Sequence, residues 1–164
     1  MMDAITEMKT RAEILHRRIE AQDTGAAARL HVLPERPEQV RRQDCLTVVA
    51  REMGFPNWPA AKRALAGEAT DEFGDLLFPK RCASHFNRWY KTYEEASAIR
   101  QEVGGYLLAF RRQFVIVDRY FIEDLGLDPD DADWGAMEYD WARGYGAARA
   151  RLYAKLVAPR AHAQ

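Results

Sequence analysis

Twelve residues in the middle of the chain, Tyr106 to Val117 ("YLLAFRRQFVIV"), lose the helical spacing that organises most of the sequence. They read as two runs of β-formers, Tyr106 to Phe110 and Phe114 to Val117, separated by Arg111, Arg112 and Gln113. A hairpin is the natural structure, although the Asn-Gly or Asp-Gly pair that favours the tightest turns is missing. An isolated hairpin is marginal in water, so this one must lie on helices or pair with another strand, a second subunit's included. The rest reads mainly as helix. The expected fold class is α+β, mainly α-helical, with an N-terminal helical module over residues 1–67 followed by a C-terminal α+β domain over residues 76–160. That second part consists of a helix, the β-hairpin and C-terminal helices.

A chain of 164 residues buries about two-thirds of its unfolded surface and needs no metal or disulfide to fold. Four Trp, seven Tyr and seven Phe supply large core groups, and 48% hydrophobic with 30% charged residues is an ordinary globular balance. Cys45 and Cys82 form no disulfide framework. Neither a signal peptide nor an apolar run of bilayer length is present, so the cytoplasm is the expected compartment. The net charge of -1 provides no global field toward nucleic acid or an anionic membrane, and any such binding needs a local patch.

Near the N-terminus, Ile5, Met8, Ala12, Leu15 and Ile19 alternate spacings of three and four and form a narrow helical stripe that ends at Thr24 and Gly25. Such a seam packs on the body of the protein or on a second copy. A second short helix is expected from Ala26 to His31, before Pro34. Then "CLTVVAREMGFPNWPAAKRAL", Cys45 to Leu65, has the spacing of a helix-turn-helix. Leu46, Val49, Ala50 and Met53 share a face, Gly54 suits a left-handed stop, Asn57 suits an N-cap and Pro59 the first turn. A DNA-reading helix needs groove-reaching side chains near its start. Here those positions are Asn57, Trp58, Pro59, Ala60 and Ala61, with only Lys62 and Arg63 basic beyond them. DNA binding through residues 45–65 is therefore the third of three readings, and Phe55 and Trp58 are expected to clamp the turn onto the core.

Over residues 42–66, Ala50, Arg51, Gly54, Phe55 and Trp58 spell A-R-x-x-G-F-x-x-W. The stretch resembles a small helical module found near the N-terminus of bacterial proteins, ahead of ankyrin repeats or a glyoxalase-like domain. The resemblance implies a bacterial source and a packing or interaction unit without catalytic residues. It covers about 25 residues, and no 33-residue repeat follows that would mark ankyrins.

The acidic, glycine-flanked stretch 66–75 reads as a boundary. Beyond it, residues 81–103 are expected to form one helix of about six turns, with Phe86, Trp89, Tyr93, Ala96 and Val103 along one side. After the hairpin come a short helix closed by Gly126, another opened by Asp128 and Pro129 with Trp134, Met137 and Trp141 inward, and a last helix from Ala147 to Val157. Residues 118–140 carry nine acidic groups and one basic, whereas 143–160 carry five basic and no acidic. The two stretches are expected to face each other.

Chemistry is sparse. From Asp128, the spacing for a calcium loop fails at Ala132, Asp133 and Tyr139. Cys82 and His85, three apart, would share a helical face as a thiol-imidazole pair or half a zinc site, without a second half. No cofactor and no metal are expected. The candidate ligand- or partner-binding residues are His85, Arg88, Trp89, Tyr93, Arg111 and Arg112, where aromatic rings and arginines gather around the hairpin. The leading reading is a non-catalytic protein-interaction or self-associating module, with a homodimer or another protein as partner. The alternative is a small enzyme or ligand sensor with a pocket near His85, Trp89, Tyr93 and Arg112.

Overall fold

The computed structural model describes residues 1–159; Arg160 and His162 lie outside the described residues. Among the described residues, eight α-helices and a three-stranded antiparallel sheet give a mainly helical α+β fold. Helix α1 (Ala4–Glu20) is capped by Asp3, which accepts the Thr6 N–H. Its stripe is spent inside the chain: Met8, Ala12 and Leu15 are buried, and the helix packs on α3 (Arg42–Glu52) and α8 (Ala147–Val157). Helix α2 (Thr24–Ala28) starts two residues ahead of the expected Ala26, because Asp23 accepts the Ala26 N–H, and it runs on as a 3-10 turn, Arg29–Val32.

The α3 turn has the expected chemistry. Gly54 takes φ 80°, and Asn57 caps α4 (Trp58–Leu65) through the Ala60 N–H at 2.9 Å. Only glycine fits at residue 54, since a Cβ there would lie 2.6 Å from the Asp75 carboxyl carbon. Phe55 is buried and Trp58 half-buried against the core, so the pair holds the turn inward. The face that would have to enter a groove is already committed in part, with Ala61, Ala64 and Leu65 packed inside.

The expected six-turn helix over residues 81–103 does not form. Residues Lys80–Cys82 make a 3-10 turn, Arg88–Tyr90 become strand β1, and helix α5 (Tyr93–Val103) begins only after Thr92 caps it. Sequence spacing placed Trp89 on a helix, but Trp89 and Tyr90 gain cross-strand neighbours in Val115 and Phe114, and pairing outweighs the local period. Strands β2 (Tyr106–Phe110) and β3 (Gln113–Val117) are the hairpin, and the sheet order is β1-β3-β2. The third strand comes from the same chain. Gln113 pairs with Phe110, which shortens the turn to Arg111 and Arg112. Arg111 sits at φ 55°, held there because its N–H and C=O bond to Gly74 and Phe73.

Register sorts the sheet into two faces. Trp89, Leu108, Val115 and Val117 lie on one, toward Phe78 and Phe121 of the main core. Leu107, Phe114 and Ile116 lie on the other, which α5 covers with buried Ala96 and with Tyr93 edge-on to Phe114.

Helix α6 (Arg119–Leu125) is closed by left-handed Gly126 as expected. Helix α7 (Ala132–Ala136) is capped by Asp131 rather than Asp128; the latter instead accepts the Asp130 N–H in a preceding turn. Trp134, Met137 and Trp141 are buried, as are Leu152 and Tyr153 of α8, while Leu156 is only partly covered. The acidic and basic stretches do meet: Arg151 pairs with Asp133 at 2.6 Å and Lys155 with Asp131 at 2.5 Å. Stretch 66–75 is no loose connection, for Phe73 is buried, Gly146 donates to Gly67 at 2.6 Å, and one cluster of buried residues runs through both sides. Among the described residues no helix is long and apolar enough to cross a membrane.

Candidate binding surface

The six candidate residues do not converge on one pocket. The sheet itself divides them, with Trp89 on one face and Tyr93, from α5, on the other. Tyr93 donates its hydroxyl to Asp140, and the Arg143 guanidinium lies 4.3 Å over its ring. Burial and the Asp140 carboxylate raise its pKa. It is a latch between α5 and the loop after α7.

At the hairpin tip the two arginines part company. Arg112 is paired with Glu72 at 2.7 Å, whereas Arg111 has only Asp75, 3.8 Å away. Asp75 is pushed above the ordinary carboxylate range by burial, and Arg111 opposes that only in part. Next to the tip lies a cleft of about 650 Å³ between Asp75, Leu76, Phe78, Lys80, Phe110 and Leu156. None of the candidates lines it. The sequence offered no signal for this cleft, since its walls come from a loop, a strand end and the last helix.

Cys82 is buried in the 3-10 turn, and the helix that would have set His85 beside it is absent. The His85 imidazole instead meets Asp124 of α6 at 2.5 Å, edge-on to Phe121. That pairing fixes the approach to β1.

Among the described residues, strand β1 is the open edge of the sheet. In the register, Arg88 and Tyr90 face Ile116 and Phe114, so the N–H and C=O of Trp89 point away from β3. The opposite edge is closed: Leu107 of β2 exchanges backbone bonds with Tyr139 and Trp141, and Arg111 with residues 73 and 74. Around β1 the side chains are unusually uncovered. Phe86, expected on an inward helical side, is fully exposed at 100%, and Trp89 is 42% exposed. Trp89 rests on Phe78 at 4.8 Å and Phe110 at 6.0 Å, and both of those rings line the 650 Å³ cleft. The open edge and the cleft are thus neighbours on one face.

Charge sharpens the picture. Between Asp75 and Glu94 there is no acidic residue, but there are Lys80, Arg81, Arg88 and Lys91. Arg81 donates to the Asp124 and Leu125 carbonyls. Lys80, Arg88 and Lys91 are exposed and form no ion pair with a described residue. The acids bordering this stretch are Asp75, which lines the cleft with Lys80, Asp124, bound to His85, and Glu94 and Glu95 at the start of α5.

Comparison with known proteins finds no matching family model, no matching curated protein and no matching solved structure. The surface is therefore read from its own geometry.

Proposed function

We propose that this chain is a non-catalytic interaction protein that takes an extended, acidic segment of another polypeptide as an added strand on β1. The observation that supports this most is the open edge beside a fully exposed Phe86 and a half-exposed Trp89, in a stretch with four cations and no acid. A free strand edge supplies backbone hydrogen bonds to any extended chain; side chains on either face then choose which chain. Arg88 and Lys91, without an ion-pair partner among the described residues, favour carboxylates, and the exposed rings give an apolar residue of the partner a dry contact. Strand β1 is short, at three residues, and carries Arg88 with Lys91 beside it, which guards the edge against unselective pairing and leaves it open to an acidic strand.

A second copy fits this edge less well. Antiparallel self-pairing about Trp89 would gather two sets of the same cations with no acid between them, which repels. The α1 stripe, the other candidate for self-association, is already packed inside the chain at Met8, Ala12 and Leu15, with Ile5 and Ile19 partly buried. The module resemblance over residues 42–66 agrees with an interaction role and adds no chemistry to it. A ligand-sensing role would use the cleft beside Asp75 rather than the expected set of His85, Trp89, Tyr93 and Arg112.

The test uses two labelled peptides of about nine residues, one alternating glutamate with valine and phenylalanine and one with lysine in place of glutamate, followed by fluorescence anisotropy. The glutamate peptide should bind, weaken as salt rises, and lose about ten-fold or more in affinity to Arg88→Glu, while the lysine peptide should not bind. Equal binding of both peptides, binding of neither, or a stable dimer dispersed by Trp89→Glu would each overturn the proposal.

A further inference from the structure

Five apolar side chains, Leu76, Phe78, Pro79, Phe110 and Leu156, converge on the cleft of about 650 Å³, and none of the five is fully buried. Their neighbours Leu77 and Phe121 are sealed in the core, with the Phe121 ring stacked on Phe78. The chain has therefore left one apolar hollow unfilled beside a well-packed interior. Its volume falls in the range of about 300–1,000 Å³ that small-molecule sites occupy.

Polar groups enter this wall from two sides. On the hairpin side the Asp75 carboxyl rests against Gly54, where a Cβ would lie 2.6 Å from the carboxyl carbon. The glycine of the A-R-x-x-G-F stretch thus makes room for that carboxyl. Only Arg111, 3.8 Å away, and the Asp75 backbone N–H offset its charge, and burial pushes its pKa up. On the other side Lys80 opens the 3-10 turn, exposed and without an ion pair to a described residue. Arg81 next to it donates to the Asp124 and Leu125 carbonyls, which leaves its charge uncancelled.

Two cations against one carboxyl that Arg111 already faces make the cleft favourable to an anion. The Phe78 and Phe110 rings, 6.1 Å apart and inclined at 69°, offer both a face and an edge to a third ring. The geometry points to a small-molecule site for an aromatic carboxylate: its ring lies among Phe78, Phe110 and Leu156, its carboxylate faces Lys80, and a ring hydroxyl or N–H donates to Asp75. An Asp75 that holds its proton more readily than an ordinary carboxyl repels such an anion less. The site is distinct from the β1 edge and stands without the strand-addition reading.

An NMR titration of the whole chain tests it with three probes: para-hydroxyphenylpropionate, its neutral amide, and phenylpropionate, which lacks the hydroxyl. The hydroxy acid should bind with a Kd of about 1 mM or tighter and shift the amides of residues 75–81 and of Phe110. Loss of the charge should weaken binding about ten-fold and loss of the hydroxyl about three-fold. Lys80→Gln, a change at an exposed position, should bring the hydroxy acid down to the affinity of its amide. Asp75→Ala should erase the preference for the hydroxyl. Equal affinity of the unaltered chain for acid and amide would overturn the site, as would Lys80→Gln binding the acid undiminished. Shifts confined to residues 88–90, the mark of a carboxylate at the strand edge alone, or no shift around the cleft with any probe would overturn it too.

Discussion

Helix α8 and the β1 edge are both basic segments beside aromatic rings, and the chain treats them in opposite ways. At α7–α8 the two cations on the contact, Arg151 and Lys155, meet Asp133 and Asp131, with Trp134 and Trp141 buried beneath. At β1 the cations Arg88 and Lys91 have no such partner among the described residues, and Phe86 is fully and Trp89 partly exposed. Complementarity completed inside one chain is a device of folding. The same chemistry left incomplete at a strand edge is where the proposed partner strand would dock.

Two tryptophans measure that difference most strongly. Trp141→Ala empties a site with 0% exposure and should cost about 3–5 kcal/mol of unfolding free energy, read by denaturant titration. Trp89→Ala, at 42% exposure, should cost about 1 kcal/mol or less while removing peptide binding. Comparable losses at the two positions would mean that Trp89 is a core residue and that the edge is not set aside for a partner.

A smaller effect sharpens the closed side. Asp133 is held below the ordinary carboxylate value of 3.8, first by its hydrogen bond from Arg151 and then by the charges of Arg151 and Lys155. A carboxylate whose folded pKa is depressed contributes stability that is present above 3.8 and is lost as pH falls through the folded value. Asp133→Asn should therefore destabilise by about 1 kcal/mol at neutral pH, with the difference from the unaltered chain shrinking below pH 4. Urea titrations at two pH values check it. Stability that falls equally in both proteins on acidification would assign the acid sensitivity to other groups.

How far the sequence reveals this arrangement depends on whether the deciding contact is local. The turn at Gly54 and Asn57, the hairpin, the stop at Gly126 and the span of α8 are legible because propensity, capping and period agree within a few residues. The meeting of Asp133 with Arg151 is legible as well, since charge segregation in one stretch announces it. Strand β1 is not. Its residues carry a passable helical period, and only the presence of Phe114 and Ile116 alongside makes extension the better choice. Phe86 changes from an inward helical residue to a fully exposed one for that single reason. Site residues suffered in the same way: Trp89 and Tyr93 are four apart in sequence, yet the sheet stands between them. The cleft beside Asp75 gave no local sign at all, because its walls come together only in the packed chain.

The most direct measurement is amide hydrogen exchange at Trp89, by NMR, with and without the glutamate peptide. In the free protein its N–H points away from β3 and should exchange rapidly, while those of Arg88 and Tyr90 are protected. Addition of the peptide should slow Trp89 and leave the closed edge at Leu107 unchanged. Protection of Trp89 in the free protein, or peptide binding that leaves Trp89 exchanging as before, would contradict the account of β1 as an edge kept open for a partner strand.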